Sequence, residues 1–216
     1  MVELVPAILT RDKNDLEEKI RFLESIPEIE EVHIDFEDAE FVPNLTILPP
    51  DFPKLETRLK FEAHLMVSKP QDFFHVLQSI ESVKTLILHL ESFRDTPAAS
   101  TALENVRRLG FRAGVALNPN TAIESVLQLV SSVELIQIMG VFPGFQGRKF
   151  IPETFQKIST LRNAAKNVII CVDGGVKLDN AEGLRRAGAD RIVVGSAIWL
   201  ERDPKQTIYE FLKKIK

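Results

Sequence analysis

The sequence predicts a (β/α)8 barrel built as one domain over residues 1–216. Three observations point there. Short apolar runs alternate with amphipathic stretches along the whole chain, and eight such runs can be counted. Runs separated by helix-like segments pair in parallel through crossover helices, and an eightfold alternation closes naturally into a barrel. The first run is followed by "TRDKND", which lacks the glycine-rich turn expected of an open, doubly wound nucleotide-binding sheet. With 216 residues the chain is shorter than most such barrels, so its loops should be brief.

The elements follow in order. Strands are expected at 4–9 (LVPAIL), 31–36 (EVHIDF), 59–66 (LKFEAHLM), 85–90 (TLILHL), 112–117 (RAGVAL), 135–141 (LIQIMGV), 167–173 (NVIICVD) and 191–198 (RIVVGSAI). Between the first two, Leu16, Ile20 and Leu23 recur at helical spacing with charge on the opposite side. Residues 121–130 and 152–165 show a similar pattern and are expected to be helices. The last helix should start at Asp203 as N-cap, with Pro204 at its first position and lysines in its last turn.

Composition narrows the function. A formal net charge of −4 with no Lys/Arg block argues against nucleic acid as a partner. No apolar run approaches membrane-spanning length, and the N-terminus has no basic, apolar leader, so a cytoplasmic, soluble protein is expected. The single cysteine, Cys171, permits no internal disulfide and reads as a small core residue.

In such a barrel, function gathers at the C-terminal ends of the strands. Four polar residues fall there: His33 and Asp35 on the second strand, His64 on the third and Asp173 on the seventh. Alternation puts His33 and Asp35 on one face. Two imidazoles and two carboxylates brought together suit one divalent cation, with zinc, iron(II), manganese and cobalt all compatible. Taken singly, each residue is more simply a hydrogen-bonded core group; four at three strand ends favour a site. Glycines mark the last three strand ends, the sixth to the eighth: "FPGFQG" at 142–147, "DGG" at 173–175 and "GSA" at 195–197. Their backbone N–H groups, helped by a following helix N-terminus, suit a phosphate. A cation beside a phosphate cradle implies a small phosphorylated substrate.

The residues then resemble those of the ribulose-phosphate 3-epimerase family. The resemblance rests on "PAIL", "HID" with "FVPN", "HLM" before Lys69-Pro70, "AGVALNP", "PGFQG" with "KFIP", "VDGG" and "GSAI", in order along nearly the full length. It implies a carbohydrate isomerase of the pentose phosphate pathway, converting D-ribulose 5-phosphate to D-xylulose 5-phosphate through an enediolate. It also implies one divalent metal on His33, Asp35, His64 and Asp173, with Asp35 removing the C3 proton and Asp173 returning one to the opposite face. Gly144, Phe145, Gln146, Gly147, Gly174, Gly175, Gly195 and Ser196 would hold the phosphate, His64 would also touch substrate, and a homo-oligomer is expected. D-allulose 6-phosphate as substrate, or a weakened sugar-phosphate-binding barrel, are the alternatives. Decarboxylases of similar architecture rely on an Asp-x-Lys-x-x-Asp arrangement, which does not occur.

Several positions depart from the family pattern. Ala7 replaces a usual serine, Glu37 a methionine, Ala39 a glycine and Glu40 a histidine; Met66 and Met139 keep the other apolar pocket positions. Strand alternation carries the inward face from His33 and Asp35 to Glu37. There it should gain a proton, pair with a cation or join the metal; otherwise the strand has ended and Glu37 lies in a mobile loop. Glu62 is expected either to orient His64 or to be a paired core acid, and His89 to be a satisfied core histidine rather than a pocket residue.

Overall fold

The computed structural model describes residues 2–216. Eight parallel strands close on themselves in chain order. They are β1 (Glu3–Ile8), β2 (Glu31–Glu37), β3 (Lys60–Met66), β4 (Val83–His89), β5 (Arg112–Leu117), β6 (Leu135–Met139), β7 (Ile169–Asp173) and β8 (Arg191–Val194). The last strand pairs with the first through Val5↔Val193 and its neighbours, which removes every sheet edge.

Helices α1 (Lys13–Glu24), α2 (Phe74–Gln78), α3 (Thr96–Arg108), α4 (Thr154–Ala164), α5 (Leu178–Ala187), α6 (Ser196–Trp199) and α7 (Pro204–Lys214) cover the outside. Asp12 caps α1 by accepting from the N–H groups of Asn14 and Asp15. Asp203 caps α7 by accepting from Gln206, with Pro204 in the first turn and Lys213 and Lys214 in the last, as predicted. The main apolar core lies between strands and helices, with Leu16, Ile20 and Leu23 of α1 packed into it. A second, small cluster of Val5, Ala7, Ile87, Ala116, Leu135, Cys171 and Val193 fills the barrel itself.

Two expectations need correction. Residues 121–130 form no α-helix; two 3₁₀ turns, Ile123–Ser125 and Leu127–Ser132, replace it. Ile123, Val126 and Leu129 are the buried residues, and their spacing of three matches the 3₁₀ repeat instead of the α repeat. The eighth strand also stops at Val194. Gly195 takes φ −101°, ψ −93°, which leaves the pleat, and Ser196–Trp199 make one helical turn. The Trp199 indole N–H then donates to the Ala7 carbonyl at 2.6 Å, tying this turn back to β1.

Candidate active site and metal centre

Inward-facing positions at the strand ends carry the polar residues. Register sets His33 beside Glu62 and Asp35 beside His64 on the neighbouring strand. Asp173 pairs with Met139 across β6–β7. His33, Asp35, His64 and Asp173 are all buried, and one ligand atom from each lies within 4.8 Å of the others. The sequence therefore placed four side chains from three strands in one cluster, and the structure brings all four together.

The ring nitrogens are directed by partners outside the cluster. His33 Nδ1 lies 3.3 Å from Glu62 Oε2, so donation there leaves Nε2 toward the cluster. That Nε2 is buried without a hydrogen bond, 3.4 Å from Asp35 Oδ1 and 3.9 Å from Asp173 Oδ2. Glu62 thus orients His33, not His64 as expected, because register, not parity alone, decides which imidazole stands alongside. His64 Nε2 sits 2.9 Å from His89 Nε2, whose Nδ1 faces Glu91 Oε2 at 3.2 Å. Burial holds His89 neutral by lowering its pKa to about 4. A neutral His89 that donates to Glu91 accepts from His64, which leaves the His64 Nδ1 lone pair 2.8 Å from Asp35 Oδ1. A lone pair facing a carboxylate at that distance requires a positive centre, a proton or a metal ion. With the orphaned His33 Nε2, this donor set fits a divalent cation.

Electrostatics separate the two aspartates. Burial pushes both carboxyls up, but where protons are the positive centres on His33 and His64, those imidazoles hold Asp35 far below the ordinary range. Asp173 is raised, by burial first and by the Asp35 charge, with less help from the imidazoles. For His33, burial opposes the charge, yet the adjacent carboxylates of Asp35 and Glu62 raise its pKa to about 10.

Above the cluster opens a cleft at the C-terminal end of the barrel. Its floor includes Asp35 and Asp173, its walls Ala7, Glu37, Met66 and Met139, and its far side Gly144, Phe145, Gln146, Gly147, Gly174, Gly175, Gly195 and Ser196. His33 and His64 lie beneath and do not line it. Gly174 and Gly175 take φ +94° and +68°, and a side chain at Gly175 would meet Phe150 backbone within 2.9 Å. Among the described residues, the N–H groups of Gly175, Gly195 and Ser196 have no protein acceptor. The helix after Gly195 is a single turn, so backbone N–H groups, not a helix dipole, would face an anion there.

Glu37 resolves in favour of the pocket. It closes β2 opposite Met66, is buried, and lines the cleft. Its Oε2 accepts from Asn44, and Arg11 donates in turn to Asn44 Oδ1 at 2.6 Å. Asp38 ties the following loop together, accepting from the N–H groups of Glu40, Phe41 and Ser68. Ala39 stands at φ +62°, a conformation that favours the glycine usual at this position. Sequence reasoning missed Gln137, buried on β6, whose Nε2 donates to Asp173 Oδ2 at 3.3 Å and lies 3.2 Å from His64 Nε2. The signal was present: a lone amide on the inward face of an otherwise apolar strand, two residues before Met139.

Fold and cluster together define an enzyme-type barrel with paired acids and a cation-compatible centre at its open end. Residues 3–199 match the model of the Ribulose-phosphate 3 epimerase family. The chain is 35% identical over 189 residues to the cytoplasmic isoform of ribulose-phosphate 3-epimerase from Oryza sativa subsp. japonica, covering 85% of this chain and 82% of that one. It is 32% identical over 217 residues to ribulose-phosphate 3-epimerase of Bacillus subtilis, covering 97% and 98%. Among solved structures, orotidine 5'-phosphate decarboxylase from Pyrococcus horikoshii superposes with a TM-score of 0.67 at 16% identity, covering 98% of each chain, a likeness of fold alone. The chain belongs to the ribulose-phosphate 3-epimerase family, and so to the isomerases of carbohydrates. Among the described residues no helix is long and apolar enough to cross a membrane.

Proposed function

We propose that the chain inverts C3 of a ketose phosphate, interconverting D-ribulose 5-phosphate and D-xylulose 5-phosphate. One observation carries the reading: Asp35 and Asp173 line one cleft while their proton affinities are driven apart. Two acids separated in this way assign themselves as base and acid. Asp35, held ionised, removes the C3 proton, and Asp173 delivers one from the other side, giving inversion through an enediolate. Positioned carboxylates of this kind contribute ~10²–10⁴-fold to rate.

His33, Asp35, His64 and Asp173 would hold one divalent ion, for which zinc, iron(II), manganese and cobalt are all suitable. Bound there, such an ion stabilises negative charge on the ketose oxygens, worth on the order of several kcal/mol. Gln137 steadies the Asp173 carboxylate by donating to it. The free N–H groups of Gly175, Gly195 and Ser196, with Arg148 lining the same side, receive the phosphate.

The test is C3 epimerisation of D-ribulose 5-phosphate, with D-allulose 6-phosphate assayed beside it, after metal analysis and with and without chelator. Asp35→Asn and Asp173→Asn are each expected to lose at least ~100-fold in turnover. Each should still exchange the C3 proton of the single epimer whose proton faces the surviving carboxylate. Full turnover in either variant would remove the two-acid proposal.

A further inference from the structure

Glu91 has no part in the proton transfers, yet one imidazole links it to the cation cluster. It stands just past the end of β4, partly buried, and both of its oxygens accept. Oε1 takes the backbone N–H of Asn118 at 2.8 Å and the hydroxyl of Thr121. Oε2 faces His89 Nδ1 at 3.2 Å. The loop that supplies the two donors is itself held by Lys157 of α4, which donates to the carbonyls of Asn118 and Pro119 at 2.9 and 3.1 Å.

Counting donors along this chain fixes each hydrogen. A carboxylate has none to give, so His89 Nδ1 is the donor, and Nε2 of the neutral ring is then an acceptor. His89 is fully buried with the Phe41 ring against it, and His64 Nε2 lies 2.9 Å from its Nε2. His64 therefore carries its hydrogen on Nε2 and keeps a lone pair on Nδ1. That nitrogen faces Asp35 at 2.8 Å and Asp173 at 3.6 Å, and only a lone pair can ligate a cation. Gln137 approaches the same His64 nitrogen at 3.2 Å, and a hydrogen from it would call for the opposite tautomer. The shorter contact is the one to His89, and the Gln137 amide has Asp173 to donate to.

We infer that Glu91 is a positioning residue for the metal centre, setting the tautomer of His89 and, through it, which nitrogen of His64 is free to ligate. The inference rests on the reading of His33, Asp35, His64 and Asp173 as a cation centre. It has a consequence that packing alone lacks. Glu91→Gln keeps the shape and reverses the sense of the chain. Its amide oxygen stays on the Asn118 N–H, which can only donate, and its NH2 then faces His89 Nδ1. That places the hydrogen of His89 on Nε2 and the hydrogen of His64 on Nδ1, the nitrogen that must stay bare.

Two measurements test this. Nitrogen-15 NMR of the imidazoles in the intact, metal-free protein should show His89 with its hydrogen on Nδ1 alone, and Glu91→Gln should move it to Nε2. Zinc affinity, read by competition with a chelator, should fall roughly 10–100-fold in Glu91→Gln. Glu91→Ala gives up every hydrogen bond of the carboxylate but lets water accept from His89, so it should lose less zinc affinity than Glu91→Gln. A role confined to holding the loop gives the reverse order. A hydrogen on Nε2 of His89 in the intact protein, zinc affinity within about threefold of the parent in a folded Glu91→Gln, or a larger loss in Glu91→Ala would each overturn the inference. Because the spectrum of the intact protein alone can overturn it, a variant that fails to fold does not shield it. An intact protein that takes up no zinc removes the cation centre and this inference with it; uptake by the intact protein with no loss in Glu91→Gln removes this inference alone.

Discussion

The two ends of the barrel interior treat charge in opposite ways. At the N-terminal end, Arg191 meets Glu31 at 2.7 Å and also Glu62. Its Nε lies 2.8 Å from Glu3 but off the N–H direction, an ionic contact and not a directed hydrogen bond. Arg112 donates to Glu31 at 2.6 Å and to Thr85 at 2.9 Å. Each acid there faces a guanidinium. At the C-terminal end acids face acids and imidazoles, and His33 Nε2, Glu37 Oε1 and Gln137 Oε1 remain unpartnered. Saturated charge plugs the closed end of the barrel, while unsaturated valence at the open end is what a ligand completes. Glu62 belongs to both ends, holding Arg191 with one oxygen and His33 with the other.

The largest expected effect lies at the saturated end. Arg191→Met leaves Glu31 and Glu62 buried without their shared cation, and loss of one partner from a buried pair costs about 3–5 kcal/mol. Urea unfolding should show a loss of that size, and a change below about 1 kcal/mol would mean the network is not cohesive. Glu62→Gln joins the two ends in one measurement. It weakens the acceptor that directs His33, so metal affinity should fall roughly 10–100-fold, read by titrating metal into apo protein. Unchanged affinity would make Glu62 a member of the plug alone.

Much of this was legible from residue order. The alternation gave eight strands and their closure, and parity alone put His33 and Asp35 on one face. Register was not legible. Which imidazole Glu62 meets depends on a one-to-one match between β2 and β3 that no periodicity encodes. The crossover at 121–130 departs from the expected α-helix because apolar residues three apart fit an α pattern loosely and a 3₁₀ pattern well. Gln137 carries no charge to mark it in the sequence, although burial makes its hydrogen bonds as binding a constraint as those of a charged group.

The smallest effect sharpens the contrast at one residue of the unsaturated end. Burial, and then the charge of Asp35, raise the Glu37 carboxyl from its ordinary 4.5 to about 7, against the hydrogen bond from Asn44. Between those values the folded protein keeps a proton that the unfolded chain has released. Stability therefore falls as pH rises from about 4.5 through about 7 and is level above that. Each pKa unit is worth ~1.4 kcal/mol, but the carboxyl borders an open cleft, and solvent screening leaves ~1–2 kcal/mol in all. Glu37→Gln removes the titration. Urea unfolding of metal-free protein at steps from pH 5 to 8 should show the variant gaining on the parent by that amount. A difference that stays flat, or that shrinks with rising pH, would place the carboxyl in its ordinary range and its free oxygen in water, making the open end no less saturated at β2 than the plug below it.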